Sequence, residues 1–128
     1  MSNDFSGNFI FSYSRKQAIA DGVLVDVSET AKEAGFKYPV AVTQKLWDEY
    51  IVPDEAGRQV GQSEQGRLWD VLMVLRLAIQ QGGDGREVCF PVIFLFEGSD
   101  HRETTLKSVC GPDDDLSPCI TIMLPDED

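Results

Sequence analysis

EQGRLWDVLMVLRLAIQQGG, running from Glu64 to Gly83, is the stretch on which the fold turns. Ser63 and Glu64 open it as a helix, and Gly82 and Gly83 end it with Asp84 and Gly85 continuing the turn. Between Leu68 and Ile79 apolar residues stand on nearly every side. A helix apolar all round is expected to be central, packed against a sheet and other helices.

Downstream, the pattern changes to strands. VCFPVIFLF, Val88 to Phe96, is a continuous apolar run in which Pro91 marks an edge position or a bulge. GSD turns it into RETTLKSVC, and after GPDDDLSP the segment CITIML sets Ile120, Ile122 and Leu124 on one face. Three strands joined by short loops predict an antiparallel meander. Helices first and strands afterwards give an α+β fold, with the long helix covering one face of a small, mainly antiparallel sheet.

Upstream, the punctuation belongs to short elements. Residues 1–7 read as a loose tail and residues 8–128 as one domain. FIFSY, Phe9 to Tyr13, reads as a short aromatic strand. Ser14 and Gln17 fit a capping box, and Gly22 stops the helix they begin. VLVDV, Val23 to Val27, is a short strand or an extended link. Asp26 or Ser28 caps a second helix that Gly35 closes. Pro39 follows in an extended link, Thr43 caps a third helix, TQKLWDEYI, and residues 53–63 read as a polar loop, the most mobile segment of the chain.

The 128 residues suffice for one domain with a real core, and 42% apolar with 26% charged residues is ordinary globular composition. No apolar run approaches the roughly 20 residues that span a bilayer. MSNDFSGNFIF lacks the basic start and long apolar run of a secretory signal, so the protein is expected to be soluble and cytoplasmic. Cys89, Cys110 and Cys119 are an odd count, which favours reduced thiols, although Cys110 and Cys119 flank a hairpin loop and could face each other. With His101 as the sole histidine, no four-ligand zinc spacing exists, and no metal or cofactor is expected.

The net charge of −11 is lopsided, because the segment from Glu97 to Asp128 holds nine acids against two bases. Such a surface repels phosphate backbones and argues against direct nucleic-acid binding. It suits a partner with a basic surface, imitation of nucleic acid, or simple solubility. Asp126, Glu127 and Asp128 read most simply as a solubilising tail.

Catalytic signatures are absent: no Walker loop, no GxSxG elbow, no HExxH and no dinucleotide fingerprint. His101 lies in an expected turn, from which spacing alone does not bar a catalytic role. Caps and stops account for much of the N-terminal third but leave Tyr13, Arg15, Asp21 and Asp26 over; for Asp26 a helix cap is the simpler role. Trp69, Met73, Arg76 and Gln80 share one side of the long helix, where a guanidinium amid apolar surface needs an anion or a route to water. Asp113, Asp114 and Asp115 lack the alternation of a calcium loop and read as a solvated hairpin turn, or as an acidic contact. The binding candidates are therefore Tyr13, Arg15, Asp26, Trp69, Arg76 and Asp113 to Asp115, with no catalytic and no metal residue among them.

YSRKQAIADGVLVDVSETAKEAGFKYPVAVT, GRLWDVLMVLRLAI and LKSVCGPDDDLSPCITIMLPDED, spanning most of the chain from about Ser12 to Asp128, resemble a family of small bacterial proteins of unknown function carried on plasmids, phages and integrative elements. The resemblance implies a bacterial cytoplasm and an accessory gene on mobile DNA, and it carries over no catalytic residue. The leading expectation is a non-enzymatic protein-binding module that modulates host defence or element maintenance, meeting a host or element-encoded protein with a basic surface. Two alternatives stand beside it. One is a small enzyme or anionic-ligand binder with a pocket between the N-terminal segment and the long helix. The other is a homodimer built on Val88 to Phe96 or on a helix face.

Overall fold

A computed structural model describes residues 14–53, 55–59, 61, 63–81, 86–96, 100–112 and 115–127, with the backbone alone for 56–57, 95–96 and 100–102. The expected tail at 1–7 and strand at Phe9 to Tyr13 lie outside them.

Helix α1 (Arg15–Ala20) starts where the Ser14 hydroxyl accepts the Gln17 N–H at 3.0 Å. Only half of the expected capping box forms. The Gln17 amide donates forward to Asp21 Oδ1 at 2.8 Å, which gives Asp21 its role. Gly22, at φ +79°, ends the helix and leads into strand β1 (Leu24–Asp26). Asp26 Oδ1 then accepts both the N–H (3.0 Å) and the hydroxyl (2.6 Å) of Ser28 at the head of helix α2 (Ser28–Glu33). The Ser28 hydroxyl in turn accepts the Val40 N–H at 3.1 Å, fastening α2 to the strand that follows.

That strand, β2 (Val40–Thr43), occupies what reads in sequence as the end of an extended link. Helix α3 (Gln44–Leu46) follows it, capped by the Thr43 hydroxyl on the Leu46 N–H (3.3 Å), and widens into a π turn at Trp47–Ile51. The expected polar loop of residues 53–63 contains a short helix, α4 (Glu55–Gln59), and Arg58 bridges forward to Glu64 at 3.2 Å. Helix α5 (Glu64–Gln80) begins with the Ser63 hydroxyl accepting the Gly66 N–H at 3.0 Å.

Strands β3 (Glu87–Phe96), β4 (Asp100–Pro112) and β5 (Pro118–Met123) form the expected antiparallel meander. The sheet does not stop there: its order is β1-β2-β5-β4-β3, with β2 parallel to β5 and every other pair antiparallel. The fold is α+β, with α5 laid on one face of a mostly antiparallel sheet. Val40, Val42, Phe90, Val92, Leu106, Ile120 and Ile122 point from that face into a core closed by Leu68, Val71, Leu72 and Leu75 of α5 and by Ala31, Leu46 and Ile51.

Two expectations change. Helix α5 is not buried on all sides: Trp69 and Leu77 are 38% and 52% exposed on its outer surface, and Ile79, on the core side but near the helix's end, is 37% exposed. Among the described residues α5 packs one stripe onto the sheet, and Trp69 and Leu77 lie outside it. Cys110 and Cys119 do not face each other either. Cys110 pairs with Ile120 and Gly111 with Cys119, and neighbouring rungs of a ladder alternate faces, so the two thiols point to opposite sides of the sheet. None of the three cysteines is in a disulfide.

Candidate functional site

Arg15 is held rather than offered. Its guanidinium donates to Thr121 Oγ1 at 2.6 Å and to the Ile120 carbonyl at 2.7 Å, pinning α1 to β5. Asp26 accepts the Ser28 N–H and hydroxyl at the head of α2, whose N-cap is Val27 and not the expected Asp26 or Ser28. Asp115 makes a local turn, accepting the Ser117 N–H at 3.0 Å, and hydrogen bonds from the Ser117 backbone and hydroxyl hold its carboxyl below the ordinary aspartate range. Tyr13, Asp113 and Asp114 lie outside the described residues.

Trp69 and Arg76 stand on α5, against the sheet face opposite to α1, so the structure does not gather them with Arg15. The register shows why. Thr121, which holds Arg15, lies on the rung of Ala41 and Val109, whereas Ile122 and Val42, which pack toward α5, occupy the next rung and the other face. Arg76 extends across the end of α2, where a Cβ on Gly35 would come within 3.0 Å of its Cζ. It is exposed, so its charge reaches water over a glycine that leaves room for it.

The outer surface of α5 therefore carries Trp69, Arg76 and Leu77 exposed and Met73 half-buried. Beside Trp69 a depression of about 700 Å³ is edged by Glu33, Asp70, Gln65 and Ile93, with Ile93 64% exposed at the margin of the sheet. Among the described residues no cluster of three or more His, Cys, Asp or Glu side chains is placed to hold a metal ion. Of His101 only the backbone, opposite Leu95, is described.

A larger groove, about 1060 Å³, opens on the other sheet face between α1, the Gly22–Leu24 turn and the β4–β5 hairpin. At that hairpin Leu116 combines φ +70° with 81% exposure. A non-glycine residue seldom adopts this conformation. A leucine held so, with its side chain in water, is a feature that no sequence pattern indicated.

Arg67 is the residue that sequence reasoning passed over in favour of Arg76. It is 5% exposed and donates to the Tyr50 carbonyl at 2.8 Å, inside the π turn, where backbone carbonyls lack helical partners. Its signal was present: Arg67 lies four residues before Val71 and seven before Val74, on the buried stripe of α5.

No helix among the described residues is long and apolar enough to cross a membrane. No curated protein and no solved structure matches the chain. The family comparison covers every residue: the chain belongs to DUF6573, a family of unknown function, whose model matches residues 1–128.

Proposed function

We propose that the protein is a non-enzymatic protein-binding module and that the outer face of α5 is its contact surface. The observation carrying this reading is the exposure of Trp69 and Leu77 on a helix whose opposite side already supplies the core. The outer face of a half-buried helix is ordinarily polar. Trp and Arg are the residue types that most often dominate binding energy, and Trp69 and Arg76 stand within two turns of each other. Glu33 and Asp70 border Trp69, and the chain carries −11 overall, so the partner is a protein with an apolar patch rimmed by Lys and Arg. The resemblance to proteins of plasmids, phages and integrative elements supports a bacterial cytoplasmic setting, with host defence or element maintenance as the process modulated.

The test is capture from a bacterial host lysate with the parent protein and with Trp69→Ala and Leu77→Ser variants, washed at low and high salt. A stoichiometric protein lost from both variants and weakened by salt supports the reading. A protein captured equally by all three baits refutes the assignment of the surface. Binding indifferent to salt removes its electrostatic part.

A further inference from the structure

The depression beside Trp69 lies where α2, α5 and β3 meet. The Gln65 amide on α5 donates to the Thr30 hydroxyl on α2 at 3.0 Å and fastens the two helices together. One turn further along each helix stand Trp69 and Glu33, so this bond sets an indole and a carboxylate on the same hollow. Asp70 adds a second carboxylate from α5, and Phe94 and Ile93 of β3 close the far side. Phe94 is buried, with its ring centroid 5.4 Å from that of Tyr50, and gives the hollow an apolar floor.

Glu33 and Asp70 are both exposed, and neither makes a hydrogen bond or an ion pair among the described residues. Arg67 also lines the hollow, but its guanidinium is buried and donates to the Tyr50 carbonyl at 2.8 Å. The charge that solvent reaches here is therefore negative. Carboxylates and the face of an aromatic ring both attract a cation, and an apolar floor accepts an aliphatic stem. A guanidinium suits this set best. Being planar it stacks on an indole, and its fork offers donors to carboxylates on two helices at once.

We propose that this depression seats an arginine side chain of the partner protein, its stem against Ile93 and Phe94 and its guanidinium among Trp69, Glu33 and Asp70. The proposal rests on the reading of α5 as the contact face and names the group recognised there.

The experiment is a titration of the isotope-labelled full-length protein with N-acetyl-arginine methylamide, and with its lysine and norleucine analogues, followed by NMR. The arginine compound should move the Trp69 indole N–H and the Ile93 methyl resonances saturably, while Leu72 and Leu75 in the core keep their positions. In a Glu33→Gln, Asp70→Asn double variant its affinity should fall roughly fivefold to tenfold at low salt. The norleucine compound, which keeps the stem without the charge, should bind the parent no better than that. Norleucine binding as well as arginine overturns the proposal in favour of an apolar occupant, and lysine binding as well overturns the choice of a guanidinium. No saturable shift with any of the three overturns it outright. In each of these cases, loss of the captured protein from the Trp69→Ala and Leu77→Ser variants would still uphold the contact face, so the two readings fail separately.

Discussion

The Thr43 hydroxyl donates to Glu127 Oε1 at 2.7 Å, and the same oxygen accepts the Leu124 N–H at 2.9 Å. Thr43 also caps α3, and Lys107 Nζ donates to the Glu127 carbonyl at 2.7 Å. One residue of the closing acidic run thus ties this segment to the helix start after β2 through its side chain and to β4 through its backbone carbonyl. The expectation of a purely solubilising tail is corrected for Glu127.

Glu127→Ala should lower stability by about 1–2 kcal/mol, since two hydrogen bonds to a charged acceptor are lost. Glu127→Gln, which keeps an acceptor oxygen, should cost less. Urea unfolding of the three proteins checks both the direction and the order. Equal midpoints for parent and Ala variant would show that the tie contributes nothing.

Gly35 serves two needs at once, a φ of +102° and room for the Arg76 guanidinium. Gly35→Ala should cost about 1–2 kcal/mol from the left-handed backbone alone, with crowding against Arg76 in addition. Arg76→Ala should remove the crowding and leave the backbone cost, so the double variant should be more stable than the two single losses sum to. A double-mutant cycle by urea unfolding measures the coupling. Strict additivity would mean that Arg76 yields freely.

Among the described residues strand β3 is an edge of the sheet, and its polarity is set by the Cys110 N–H donating to the Arg86 carbonyl at 2.7 Å. Antiparallel ladders alternate, so Val88, Phe90, Val92 and Phe94 direct their backbone groups to β4, while Glu87, Cys89, Pro91 and Ile93 direct theirs outward. Pro91 therefore removes a donor from the middle of the open edge, which obstructs strand-to-strand association and weighs against a dimer built on this strand. Pro91→Val should increase association with concentration, read by light scattering, while changing chain stability by no more than about 0.5 kcal/mol. An unchanged mass would show that the edge is protected by other means.

Asp115 and Glu64 are both held below their ordinary ranges, the first by Ser117 and the second by its own backbone N–H at the start of α5 and the Arg58 guanidinium. A depressed folded-state value means stabilisation that is present above the unfolded value and lost as pH falls through the folded one. Carboxyl carbon shifts followed by NMR should give low midpoints for both. In Ser117→Ala the Asp115 midpoint should rise, although the backbone hydrogen bond persists. A midpoint for Asp115 that ignores the substitution would reassign the cause.

Much of the fold was legible because its punctuation is local. Ser14, Thr43, Gly22 and Gly35 act where they stand, within one helical turn. Strand β2 escaped for the opposite reason: four residues after a proline show no period, and they become a strand by pairing in parallel with β5, some eighty positions away. The same non-local register separates Cys110 from Cys119. At the candidate surface, Trp69 and Arg76 were legible as a shared helix side. That this side faces outward follows from how little of α5 the sheet covers, which no single helix reveals. Leu116 gave no signal, because a positive φ at leucine is imposed by the hairpin and not by the residue.

The central claim is that a partner covers Trp69. Trp47 is half-buried against the core, so Trp47→Phe leaves Trp69 as the only tryptophan reporter without creating a polar site. Acrylamide quenching of this full-length variant, alone and saturated with the captured partner, is the most direct measurement. The account predicts efficient quenching in the free protein and severalfold protection in the complex. Equal quenching in both states would contradict it and move the contact surface away from α5.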